Sequence, residues 1–164
     1  MKNNHNINSG FTLIEVLLYV GIASFMLLTI NMFTATILQS RIKNQTVLAV
    51  ENSGDAIMQT ITQTVRNASQ INISSPQSLT ATMLDGQQLT FSLENEVINL
   101  TQGGTIYPLI PSNIVATSLQ FTNLAPANKP ASVQTVLNLE HLSPEQRNET
   151  TYSKTFYATA TLRK

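Results

Sequence analysis

Three hydrophobic patterns follow one another along this chain. From Val16 to Leu38 it runs 23 residues without a formal charge. Wound as a helix rising 1.5 Å per residue, that run is roughly 35 Å long, enough to cross a hydrocarbon core of about 30 Å with some tilt. The pattern predicts a membrane-spanning helix over 11–38. Between Val47 and Ala68 the positions 47, 50, 54, 57, 58, 61, 65 and 68 recur at helical spacing, and seven of the eight are apolar, Gly54 being the exception. The helix is therefore expected to continue over 39–70 as an amphipathic segment whose stripe, including Ile57, Ile61 and Val65, lies on a β-sheet. Unbroken from Phe11 to about Ala68, it would be on the order of 85 Å long. Ser53-Gly54-Asp55 is the place to expect a kink or interruption, because an interior glycine costs about 1 kcal/mol relative to alanine.

Beyond Ile71 the period falls to two. Leu79, Ala81 and Met83 alternate with polar residues, Asp85-Gly86 makes a tight turn, and Leu89, Phe91 and Leu93 alternate again. A short strand over Glu96 to Thr101 ends at Gly103-Gly104. Ile106 to Pro111, flanked by prolines, is expected to be a loop or an edge. Three further strands are expected over Ser118 to Leu124, Val133 to Leu142 and Thr155 to Leu162, with Phe156, Ala158, Ala160 and Leu162 on one face. Polar loops over Ala125 to Pro130 and Ser143 to Ser153 join them. A helical run followed by a run of strands predicts an α+β fold, one long helix packed on an antiparallel sheet, with a β-rich globular part over 71–164.

Charge and composition narrow the function little. Nine basic and nine acidic residues balance, only 11% of residues are charged, and Asn, Gln, Ser and Thr are abundant, as suits an extracytoplasmic surface. The absence of cysteine excludes a lipoprotein anchor, a disulfide and a thiolate metal site, but not export. From Ile71 onward five basic residues face six acidic ones, and Arg147 is flanked by Glu145 and Glu149. No basic stripe for DNA is visible.

The exception to the apolar pattern is Glu15. An ionised carboxylate near the start of a membrane helix costs several kcal/mol unless something compensates for it. That carboxylate needs a partner.

Gly10-Phe11-Thr12-Leu13-Ile14-Glu15, with a polar leader before it and an uninterrupted apolar helix after it, resembles the cleavage and methylation motif of type IV prepilins and type II secretion pseudopilins. The resemblance covers about thirty residues. It implies that residues 1–10 are a leader removed by a prepilin peptidase, that the Phe11 amine is then N-methylated, and that Glu15 pairs with the Phe11 amine of a neighbouring subunit to set register. It implies a pilin fold, and a minor pilin or pseudopilin that enters a type IV pilus or a secretion or competence filament. The implied partners are the peptidase/N-methyltransferase, other pilin or pseudopilin subunits, the inner-membrane assembly platform and the bilayer. The implied location is the bacterial cytoplasmic membrane, crossed once, leader inside and C-terminal domain outside. Lys2 and His5 on one flank against Arg41 and Lys43 on the other barely decide that orientation by charge. A secretory signal fits less well, because the run is long for a signal core and lacks a small-x-small site. Met32 stands where major pilins commonly have a helix-bending proline, which points toward a minor subunit.

No constellation for catalysis accompanies these features. His141 is the one histidine outside the leader and has no nucleophile motif beside it; a solvated strand-end role is expected. Asp55 and Asp85 are not in oxygen-rich loops that cage calcium, a departure from the pseudopilins that bind it. Gly103-Gly104 lacks the lysine and helix of a phosphate cradle. Asn-x-Ser/Thr triplets at Asn44, Asn67, Asn72, Asn99 and Asn148 follow from the composition. No cofactor, metal or enzymatic activity is expected. The alternative to a filament subunit is a membrane-anchored binding module, which would keep its leader and would not need Gly10-Phe11 and Glu15.

Overall fold

The computed structural model describes residues 11–126, 129–142 and 151–163. One helix, α1 (Leu13–Asn67, 55 residues), is followed by eight strands: β1 (Ala68–Ser75), β2 (Ser78–Met83), β3 (Gln88–Glu94), β4 (Val97–Gln102), β5 (Thr105–Pro108), β6 (Ile114–Asn123), β7 (Ser132–His141) and β8 (Ser153–Thr161). The α+β class is as expected. The chain divides into two compact units between Arg41 and Ile42.

In the first unit, α1 meets the length and composition of a candidate membrane span. Its polar side chains turn inward on their own backbone. Ser24, Thr29, Asn31, Thr34, Thr36 and Ser40 each donate to a carbonyl three or four residues earlier, at 2.8 to 3.0 Å. Such bonds remove donors that would otherwise be unsatisfied in hydrocarbon.

In the second unit, α1 buries Val50, Gly54, Ile57, Met58, Ile61 and Val65 of the stripe that helical spacing predicts, together with Thr46 and Thr64, while Val47 is half-buried. Gly54 does not interrupt it. A methyl group there would overlap three carbons of the Phe156 ring, so the glycine is a notch that admits an aromatic side chain from β8. The helix stops at Asn67, and Ala68–Ser75 is already strand, whereas the apolar spacing extends the helix to 70. The spacing misleads because Ala68 is buried under either period.

The strands form two sheets, not the single sheet expected. Strands β1 to β5 pair in chain order as an antiparallel meander, and β6-β7-β8 form a second antiparallel sheet. Hairpin turns account for the first. Asn95 and Glu96 take φ of 50° and 63° between β3 and β4, and Gly103 and Gly104 take 57° and 82° between β4 and β5, the left-handed conformations of tight two-residue turns. The Ile106–Pro111 segment begins as an exposed edge strand and stops at Pro108, which has no N–H to continue a ladder. From Ile114 onward the chain builds the second sheet.

Strand β6 starts at Ile114, four residues before the alternation at Ser118 suggests. Its buried residues are Ile114, Ala116, Leu119 and Phe121, a series with one odd step. An irregularity between Ala116 and Ser118 absorbs that step as a bulge, so both halves point inward. The Ala116 N–H donates to the Glu96 carbonyl at 2.8 Å and the Phe121 N–H to the Pro76 carbonyl at 2.7 Å. These bonds tie β6 to the β3–β4 and β1–β2 turns. One core joins both sheets to the helix, with Phe91, Ile61, Leu79, Ile98, Leu119, Leu137 and Leu139 fully buried.

Candidate functional site

At the head of α1, Thr12 precedes the first turn and its carbonyl accepts from the Glu15 and Val16 N–H groups at 3.1 and 3.3 Å. Glu15 thus lies where the unpaired N–H groups of the helix give a partial positive charge. Its side chain has a partner that the motif did not indicate: the Tyr19 hydroxyl donates to Glu15 Oε1 at 3.3 Å. Tyr19 also meets the Phe11 ring edge-on, with centroids 6.1 Å apart and planes at 63°. Residues 11, 15 and 19 recur every four positions, so they stack along one side of the helix. That spacing is the signal that could have found Tyr19.

The arrangement holds the carboxylate against the helix by one oxygen. Oε2 has no partner among the described residues and can accept from a cation. Phe11 itself is 73% exposed. Gly10 and the rest of the 1–10 segment lie outside the described residues, as do Arg147 and most of the Ser143 to Ser153 loop.

A second polar cluster ties α1 to β8. Lys154 Nζ donates to Glu51 Oε1 at 2.7 Å, and the Tyr152 hydroxyl reaches the same oxygen at 3.5 Å. The Lys154 ammonium also sits 5.2 Å from the centre of the Phe156 ring. The hydrogen bond from Lys154, and then its charge, hold the Glu51 carboxyl below its ordinary 4.5. The hydrogen bond to Glu51 holds Lys154 above its ordinary 10.5.

A pH profile results from those directions. A depressed carboxylate contributes stability above its unfolded pKa, lost as pH falls through its folded value; a raised ammonium contributes below its unfolded pKa, lost as pH rises through its folded value. The stability difference between the native chain and Glu51→Gln is therefore expected to be present at neutral pH and to vanish on both the acidic and the strongly alkaline flank. The side chains are 39% and 35% exposed, so the difference is small and shrinks further in about 1 M salt. Thermal melts of both proteins across pH check this, and a difference that stays constant below pH 4.5 would sink it.

Folding also creates a basic cleft that the sequence did not disclose. Arg66, in the last turn of α1, and Arg163, just past β8, line an open cleft of about 410 Å³ with Thr159 and Thr161. Both arginines also line a neighbouring one of about 440 Å³ with Asn67, Ala68, Ser69 and Leu84. Neither guanidinium has a carboxylate partner among the described residues.

The other candidates occupy structural positions. His141 Nε2 and Asn113 Nδ2 are 3.4 Å apart at the end of β7. Asp85 Oδ1 accepts from the Gln87 N–H at 3.0 Å inside its turn. Gly103-Gly104 is the β4–β5 turn. Among the described residues, no three His, Asp or Glu side chains gather as metal ligands. No family model, no curated protein and no solved structure matches this chain.

Proposed function

We propose that this chain is a membrane-anchored assembly subunit whose apolar helix is both its anchor and its packing element. More particularly, it is a minor pilin or pseudopilin of a type IV pilus or a type II secretion or competence filament. The observation that carries the reading is the order Gly10-Phe11 and Glu15 at the head of one long helix that is apolar through its first part and amphipathic through its second.

The mechanism has three parts. A prepilin peptidase cuts after Gly10 on the cytoplasmic side, and the new Phe11 amine is methylated. The span stores the subunit in the cytoplasmic membrane, with its hydroxyls bonded to its own backbone so that it can exchange lipid for neighbouring helices. Glu15, held by Tyr19 through one oxygen, offers the other to the Phe11 amine of an adjacent subunit, and that pairing sets the axial register. In a low-dielectric setting such a pair forms only when both charges meet. The β-rich part faces outward, and the reading assigns it no catalysis and no cofactor.

Intact mass and N-terminal analysis of the protein from its native membrane test the processing step. The expected chain begins at N-methylated Phe11. A chain that keeps residues 1–10 in cells with an active prepilin peptidase would overturn the reading in favour of an anchored binding module.

A further inference from the structure

We propose that the Arg66–Arg163 cleft is a socket for the Glu94–Glu96 hairpin tip of a second copy of this chain, a head-to-tail contact between the β-rich units. The inference deepens the filament reading and rests on the form of it in which copies of this chain are neighbours in the filament.

Two arginines from different elements line one cleft, with two threonines and, among the described residues, no acidic side chain. Like charges held together without a counter-charge are unfavourable, and guanidinium forks suit planar carboxylates. Two arginines are a small footprint for nucleic acid, whose binding proteins neutralise about 6–10 phosphates. They match a ligand that brings two carboxylates.

The chain carries such a ligand at its other end. Glu94 closes β3, Glu96 follows Asn95 in the turn, and both glutamates are exposed. The turn is held rather than loose: Asn95 and Glu96 are left-handed, Glu94 pairs with Val97, and the Glu96 carbonyl accepts from the Ala116 N–H. A preformed tip loses little conformational entropy on docking.

Register places socket and tip at opposite ends of the five-stranded sheet. Ala68, two residues after Arg66, pairs with Met83, and the far end of the same hairpin is Ser75 against Ser78. Ser78 pairs with Ser92, next to the β3–β4 turn. About six residues of strand separate the ends, roughly 20 Å. A tip cannot reach the socket of its own chain, and complementary patches at opposite ends give a heterologous contact that propagates rather than a closed two-fold.

The absence of cysteine from the chain makes a clean test in the full-length protein in its native membrane. Asn95→Cys with Thr159→Cys places one thiol between the two glutamates of the tip, keeping both carboxylates, and one in the cleft. Mild oxidation is expected to give a ladder of disulfide-linked copies of the chain. Adding Arg163→Glu is expected to cut the ladder about tenfold, and adding Glu96→Arg to that variant to restore it. No ladder, a ladder indifferent to Arg163→Glu, a loss that Glu96→Arg does not repair, or links only to other proteins would each overturn the socket. N-terminal analysis of the same samples separates the two readings. A chain cut at Phe11 without a ladder loses the socket and keeps the filament; a ladder on a chain still carrying residues 1–10 does the reverse.

Discussion

Gly54→Ala is expected to destabilise the β-rich unit by about 2 kcal/mol, even though alanine is the better helix former. The helix gains roughly 1 kcal/mol from the exchange, but the new methyl lands on three carbons of the Phe156 ring. Phe156 has little room to swing aside, because its ring is buried in the core and its strand is fixed by pairing with β7, Ser153 against Glu140 through Thr161 against Ser132. Overpacking a constrained core site costs about 1–3 kcal/mol and sometimes more, and here the clash outweighs the propensity gain. Thermal unfolding followed by β-sheet circular dichroism should show a midpoint lowered by roughly 10 °C. Two companions make the result specific. Gly21→Ala lies in the same helix with nothing within 4 Å of the added carbon, and it should not lower the midpoint. Phe156→Leu added to Gly54→Ala should recover part of the loss by shortening the side chain in the notch. If Gly54→Ala melts with the native chain, the notch is not a packing constraint.

The second large effect is expected from Glu15→Ala. Under the proposed register mechanism, this chain still inserts in the membrane, is cut at Phe11 and folds its β-rich unit, yet its incorporation into filaments falls by at least about tenfold, because a neighbour's amine would enter the helix packing without a counter-charge. Glu15→Asp keeps the charge and shortens the reach, so it should retain part of the incorporation. Tyr19→Phe removes only the hydroxyl that holds Oε1 and should weaken incorporation less than Glu15→Ala. The measurement is the amount of the chain in sheared filaments against its amount in membranes. Equal incorporation of native and Glu15→Ala chains would remove Glu15 from the mechanism.

Much of the fold was legible because local patterns and burial agree. The 23-residue uncharged run can only be a buried or lipid-facing helix, and the stripe through Val50, Ile57, Ile61 and Val65 is buried where helical spacing puts it. The hairpin at Asp85-Gly86 and the β8 face of Phe156, Ala158 and Ala160 arise from period-two alternation and turn chemistry, both of which act over a few residues. The misses have the opposite character. Strand β1 alternates poorly, with only Ala68 buried and Ile71 and Ile73 half-buried, so it carries little signal. The two-sheet division depends on where β6 finds a partner. Gly54 looks like a helix breaker until Phe156, a hundred residues away, is set beside it.

The candidate site divides the same way. Gly10, Phe11 and Glu15 are contiguous or one turn apart, so their relation is covalent and helical, and the sequence alone determines it. Tyr19 shares that local geometry and was within reach of the same reasoning. The Glu51–Lys154 pair and the Arg66–Arg163 cleft join residues about a hundred positions apart, and no local rule links them. Charge counted along the chain balances to zero, but charge arranged in space does not: folding puts two guanidiniums at one end of a sheet and two carboxylates at the other. By itself the sequence determined the helix, the strand content and the motif at its head, since each arises from neighbours in the chain. The sheet partition, the glycine notch and the separation of charge were decided only by tertiary structure, since each depends on which distant residues the core brings into contact.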